Sequence, residues 1–123
     1  MPNSNFTQKD FDVINSEFES LMELAHRRCR QESETAVIRK AFEFANSALK
    51  DIRRRSGDPY ILHPIAVAKI VVGEIGLGYK SISAALLHDV VSDTGYTFED
   101  ITNLFGEKIG SLVEGLSKIK VVL

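Results

Sequence analysis

Histidine is scarce in this 123-residue chain, and two of its three copies stand where chemistry is possible. His88 and Asp89 form a doublet inside the apolar run Ala84-Ala85-Leu86-Leu87-His88-Asp89-Val90-Val91. Burying an ionisable pair in such a run is costly unless something satisfies it. A divalent metal does so, because neutral imidazole and carboxylate are both natural ligands. Adjacent residues on a helix point about 100° apart, so both reach one ion only from the helix edge, with another segment closing the shell. His63, 25 positions earlier and directly before Pro64, stands at the mouth of its own helix and can close it. Taken alone, the doublet fits a plainer account better: a histidine satisfied by one hydrogen bond beside a capping aspartate. The third histidine, His26, lies in His26-Arg27-Arg28 on a charged face and reads as a surface residue.

A second group with chemical potential is Arg53-Arg54-Arg55-Ser56-Gly57-Asp58-Pro59-Tyr60. Guanidinium stacks on a base and forks to phosphate oxygens, so this stretch can hold an anionic ligand. Composition alone favours a solvated turn, since Ser-Gly-Asp-Pro is turn chemistry and Asp58 before Pro59 is biased away from the α region.

The elements that must carry these residues are helical almost throughout. Thr7 followed by Asp10 resembles a capping box, and Phe11, Ile14, Phe18, Leu21, Met22 and Ala25 then recur on one helical face. A second helix follows Ser33, with Val37, Ile38, Ala41, Phe42, Ala45, Ala48 and Leu49 as its stripe. A third is expected from His63-Pro64, proline being favoured at a helix start, to near Gly76, where Gly76 and Gly78 can take the left-handed conformation. Ser81 is expected to cap a short apolar helix from Ile82 to about Val91, leaving Ser92-Asp93-Thr94-Gly95-Tyr96 as a loop. Thr97 with Asp100 marks the next start, Phe105-Gly106 closes that helix, and Ile109, Leu112, Val113, Leu116 and Ile119 carry the last. A strand over Lys69-Ile70-Val71-Val72 is the rival reading, but no partner run accompanies it.

The bulk properties bound what such a bundle can be. A hydrophobic content of 44% with 26% charged residues suits one folded domain over residues 1–123. A net charge of -2 argues against a nucleic-acid binder working by bulk charge. Cys29, the single cysteine, excludes an internal disulfide, fits a reducing compartment and reads as packing or surface. The start MPNSNFTQKD has no apolar h-region, and the apolar stretch Ile65 to Val72 is broken by Lys69 and too short to span a bilayer, so no membrane role and a cytoplasmic location are expected. The closing run Lys118-Ile119-Lys120-Val121-Val122-Leu123 suggests a piece of a longer parent.

Arg54-Arg55-Ser56-Gly57-Asp58-Pro59-Tyr60-Ile61-Leu62-His63-Pro64, then Ala84 to Val91, then Asp93-Thr94, resemble the hydrolase signature of the RelA/SpoT family of (p)ppGpp enzymes. Phe105-Gly106 and Leu112-Val113-Glu114-Gly115-Leu116-Ser117-Lys118-Ile119 are similar to that family's next helix, so the resemblance runs over about residues 35 to 119. It implies an all-α, HD-type bundle of about six helices, forming the N-terminal part of a longer synthetase/hydrolase of the stringent response, a GTP pyrophosphokinase. It further implies one Mn²⁺ held by residues matching His63, His88 and Asp89, with a fourth ligand beyond position 123. The guanine nucleotide (p)ppGpp, GDP or GTP is the implied partner, with Arg54, Arg55 and Ser56 against it and Asp93 as the acid-base group. The implied reaction is removal of the 3′-pyrophosphate.

Two departures stand out. The family places a Glu-Asp pair after the doublet, whereas this chain reads Ser92-Asp93. A serine hydroxyl cannot exchange protons near neutral pH as a carboxylate does, so hydrolysis is expected to be weakened. The stretch before the arginines usually reads Ala-His-x-Gly-Gln, and here it is Ala48-Leu49-Lys50-Asp51-Ile52, taken as divergence without direct chemical consequence. The alternatives are a hydrolase-dead module that senses nucleotide and controls a synthetase domain, or an HD phosphohydrolase of another nucleotide.

Overall fold

The computed structural model describes residues 4–122, with side chains through Lys118, and its order is α1 (Gln8–His26), α2 (Glu32–Ala48), α3 (Leu62–Ile70), a π-helical turn (Val71–Ile75), α4 (Tyr79–Asp93), α5 (Phe98–Phe105) and α6 (Glu107–Val122). The expected all-α bundle is therefore what forms. Among the described residues the only β pairing is an isolated antiparallel bridge between Arg53 and Pro59. Residues 69–72 belong to α3 and its π-helical continuation, not to a strand. The opening Met1 to Asn3, the apolar contribution expected of Ile119 and the closing Val121 to Leu123 lie outside the residues whose side chains are described.

Both capping boxes form. The Thr7 Oγ1 accepts from the Asp10 amide while the Asp10 carboxylate accepts from the Thr7 amide, and Thr97 with Asp100 repeats the arrangement at α5. Each satisfies two amide donors that a helix start otherwise leaves unmade. Several boundaries differ from expectation. The second helix begins at Glu32, with Gln31 as a cap residue that makes no side-chain bond. The third begins at Leu62, so Pro64 falls inside the first turn, where its missing N–H still costs nothing.

The larger correction concerns α4. It starts at Tyr79 rather than Ile82, because extended Gly78 caps it with backbone alone and leaves no side-chain signal in the sequence. It also runs through Asp93, so Ser92 and Asp93 are helical rather than in a loop. Of the two glycines expected to end the preceding helix, only Gly76 takes a positive φ, 78°.

α4 is the centre of the bundle. Every residue from Ile82 to Val90 is buried, and the helix packs against α2, α3 and α6. A helix that is apolar on all faces is one surrounded by others. α1 closes the outside of α2 and α3: Phe18 stacks on Phe42 at 3.9 Å between ring centroids, and Lys69 pairs with Glu17 at 2.9 Å. α5 and α6 meet closely at Gly110, where a Cβ would lie 2.1 Å from Thr102 Oγ1.

Candidate metal centre and arginine hollow

The three residues singled out as ligands converge. One donor atom from each of His63, His88 and Asp89 lies within 4.8 Å of the other two. Asp89 Oδ2 stands 3.2 Å from His88 Nε2 and 3.7 Å from His63 Nε2. Ligand bonds of about 2.0–2.2 Å span at most roughly 4.4 Å between donors, so a closure of about half an ångström at the widest pair suffices for one ion.

The three candidate ligands are positioned by two elements. Asp89 is fully buried and His88 nearly so, both fixed by the packing of α4. The Ala85 carbonyl lies 2.5 Å from His88 Nδ1. A carbonyl only accepts, so the ring proton sits on Nδ1 and Nε2 is left as the candidate ligand atom, an arrangement that orients histidines at metal sites. His63 comes from the first turn of α3 with its side chain 35% exposed, which opens the site on that side. Such a donor set, two imidazoles around a buried carboxylate, fits a divalent transition metal.

The arginines lie on a short hairpin between α2 and α3. The Arg54 amide donates to the Asp58 carbonyl, the Gly57 amide to the Arg54 carbonyl and the Tyr60 amide to the Ile52 carbonyl. Gly57 turns the hairpin at φ 91°, a conformation that glycine adopts without strain. Arg53, Arg54, Arg55, Ser56, Asp58 and Tyr60 line an open hollow of about 630 Å³. None of His63, His88 and Asp89 is among the lining residues. The hollow and the triad meet at Tyr60, whose ring sits edge-on to His63 with centroids 6.0 Å apart.

Ser92 and Asp93 are exposed on the last turn of α4. Ser92 follows His88 by four residues and Asp93 follows Asp89 by four, so each lies one helical turn beyond a candidate ligand and on its face. The Ser92 hydroxyl donates to the Asp89 carbonyl at 3.2 Å and approaches Asp93 Oδ2 at 3.4 Å. His26 is exposed, as its charged neighbours imply, and Cys29 is half-buried, its thiol pushed up by burial and by nearby Glu34.

Sequence reasoning missed the roles of Asp51 and Arg53. Asp51 adopts φ 65°, and its position corresponds to the glycine of the resembled Ala-His-x-Gly-Gln pattern. That glycine was the signal: a position needing left-handed backbone tolerates Asp better than most residues.

A helical bundle whose central helix carries a His-Asp doublet, met by a histidine from the helix before it, defines a class. The chain belongs to the HD domain family, whose profile matches residues 41–122. Its relatives place it with the RelA/SpoT enzymes. It is 44% identical over 99 residues to a probable GTP pyrophosphokinase of Mycobacterium leprae, covering 80% of this chain and 12% of that protein. It is 43% identical over 102 residues to the bifunctional (p)ppGpp synthase/hydrolase SpoT of Escherichia coli, covering 83% and 14%. A guanosine-3′,5′-bis(diphosphate) 3′-pyrophosphohydrolase of Aquifex aeolicus is 45% identical over 82 residues, covering 67% and 12%. The chain thus spans 12–14% of the length of these relatives. Among the described residues no helix is long and apolar enough to cross a membrane.

Proposed function

We propose that this chain is the hydrolase-type HD domain of a longer cytoplasmic (p)ppGpp synthetase/hydrolase, and that it binds the nucleotide between the triad and the arginine hairpin. The observation that carries the reading is the convergence of His63, His88 and Asp89 within 4.8 Å beside a cationic hollow that shares Tyr60 with it. The relatives are named for enzymes that act on these guanine nucleotides, and that is the substrate class we assign.

In this reading His63, His88 and Asp89 hold one divalent ion, Mn²⁺. The bound ion supplies Lewis acidity, lowering the pKa of water and polarising phosphate oxygens. Arg54 and Arg55 hold the nucleotide and its phosphates by charge-assisted bonds, and the Ser56 hydroxyl, which donates to Asp58 Oδ2 at 3.1 Å, turns to the nucleotide as a further donor when it binds. Asp93, one turn beyond Asp89, takes the proton from the water that attacks the inner phosphorus of the 3′-diphosphate and returns one to the departing ribose 3′-oxygen, so that pyrophosphate and the 3′-hydroxyl nucleotide result. Ser92 offers no carboxylate at the matching place beyond His88, so proton transfer rests on Asp93 alone and hydrolysis is slow.

A second reading, a hydrolase-dead domain that senses the nucleotide, is favoured by that same Ser92. Two measurements on the full-length protein separate them. Release of pyrophosphate from (p)ppGpp with Mn²⁺, lost in His63→Ala and in Asp89→Asn, supports the hydrolase. Nucleotide binding without turnover supports the sensor. Absence of both Mn²⁺ and nucleotide binding overturns the site.

A further inference from the structure

Three consecutive arginines look interchangeable as cations, yet the fold divides them. Among the described residues, no side-chain hydrogen bond or ion pair holds Arg54 or Arg55, whereas Arg53 is almost fully engaged. Its Nε donates to Asn5 Oδ1 at 3.1 Å, and its Nη1 to the Gly57 carbonyl at 2.8 Å. Its Nη2 donates to the Asn5 carbonyl at 2.7 Å and to Asp10 Oδ2 at 2.8 Å. The guanidinium also lies 5.1 Å from the centroid of the buried Phe6 ring. Arg53 also lines the hollow, but with Asp10 beside it and four of its five N–H donors taken by these partners it has little left to offer a ligand.

The same segment is fastened a second time at Asp51. The Asp51 carboxylate accepts from the Ser4 hydroxyl and from the Asn5 amide, and its backbone carbonyl accepts from Asn5 Nδ2. Asp51 stands where the chain leaves α2 for the hairpin, and Gly57 is the hairpin's turn. Residues 4–10 therefore grip the root of the hairpin through Asp51, and Arg53 ties that grip across to the turn.

We propose that residues 4–10 are a strap that pre-orders the arginine hairpin, with Asp51 and Arg53 as positioning residues and Arg54 and Arg55 left to meet an anionic ligand. This rests on the reading that Arg54 and Arg55 bind the nucleotide's phosphates. Ordering a hairpin before the ligand arrives removes an entropic cost from binding, which is how a residue remote from the ligand sets affinity.

The test uses the intact chain with Mn²⁺ and guanosine 3′,5′-bis(diphosphate) as probe. Asp51→Gly removes the carboxylate and suits a φ of 65°, so the backbone is not strained. Asp51→Asn keeps an acceptor and tolerates the same backbone. Asp51→Gly and Arg53→Ala should speed amide exchange at Arg54, Gly57 and Tyr60 and weaken nucleotide binding by about tenfold, the scale of one or two groups left to be ordered on binding. Mn²⁺ affinity should stay unchanged, and Asp51→Asn should restore both the protection and the affinity. A purely structural role would instead lower the melting temperature with no separate effect on nucleotide.

If Arg54→Ala weakens binding while Asp51→Gly and Arg53→Ala do not, the strap is overturned and the site reading stands. Hairpin amides that exchange no faster in Asp51→Gly and Arg53→Ala overturn the strap as well. A wild-type chain that takes up no nucleotide overturns both.

Discussion

Ser92 and Asp93 sit one turn beyond His88 and Asp89, and in the proposed mechanism one carboxylate there does work that two would share. Replacing Ser92 by Glu sets a carboxylate on the His88 face without disturbing the core, because position 92 is exposed. Hydrolysis of (p)ppGpp by the full-length protein with Mn²⁺ should rise in Ser92→Glu by up to the roughly 10²–10⁴-fold that one acid-base group contributes. Equal rates in the two proteins would show that Asp93 suffices. The same proposal gives Arg54 the complementary role. Arg54→Ala should lose about 1–3 kcal/mol of nucleotide affinity by calorimetry if charge-assisted bonds are made there. The doublet drew notice because ionisable residues in an apolar run demand an explanation, but alone it fitted a plainer account, and the resemblance to the RelA/SpoT signature joined it to His63. Asp51 was not, since its partners Ser4 and Asn5 lie 46 or 47 positions away, and no local pattern announces a tether of that span.

At the scale of the elements, local chemistry was readable and tertiary extension was not. The Thr7–Asp10 and Thr97–Asp100 boxes marked α1 and α5 because a cap is written within four residues. Thr97→Ala should destabilise the domain by about 0.5–2 kcal/mol, read from chemical unfolding. The start of α4 escaped because Gly78 caps without a side chain. Its end was misread because Ser92 and Asp93 are turn formers by composition. In the fold, the Ser92 hydroxyl bonds back to its own helix and Thr94 bonds the Val90 carbonyl at 2.6 Å. The close meeting of α5 and α6 supplies a sharper test. In Gly110→Ala the new methyl would also lie 3.1 Å from Thr102 Cα, which no side-chain rotation relieves. The helices must part, and a loss of about 1–3 kcal/mol is expected in denaturant unfolding, as for other overpacked contacts.

For the whole molecule, acid is the informative perturbant. Hydrogen bonds from the Thr7 amide and then Arg53 hold the Asp10 carboxyl below its ordinary 3.8. A hydrogen bond from Ser4 is the main cause that lowers Asp51 in the same way. A carboxylate depressed in the folded state binds fewer protons there than in the unfolded chain, so stability rises with pH across that interval. The contribution is complete above about pH 4 and fades as pH falls further. Thermal midpoints between pH 6 and pH 3 should therefore drop most steeply below pH 4. Asp51→Asn should flatten that drop, and an unchanged slope would remove the tether from the acid response. Metal acts on the whole fold by mass action. Mn²⁺ at about 100 times its dissociation constant should add about 2.7 kcal/mol to wild type and much less to Asp89→Asn, measured as a shift in melting temperature.

Because Ile82 to Val90 is enclosed by neighbouring helices, His88 and Asp89 belong to the part of the domain that opens last. Backbone amides there should exchange with solvent only through global unfolding, while those of the hairpin and the amino-terminal segment exchange through smaller openings. One wall of the candidate site is thus expected to last as long as the fold itself, and the other to open and close within that time. An inhibitor built against α4 would meet a shape held by the core, whereas one built against the arginines would meet a shape held by the amino-terminal strap. Resistance substitutions would then be tolerated on the hairpin and would unfold the protein on α4.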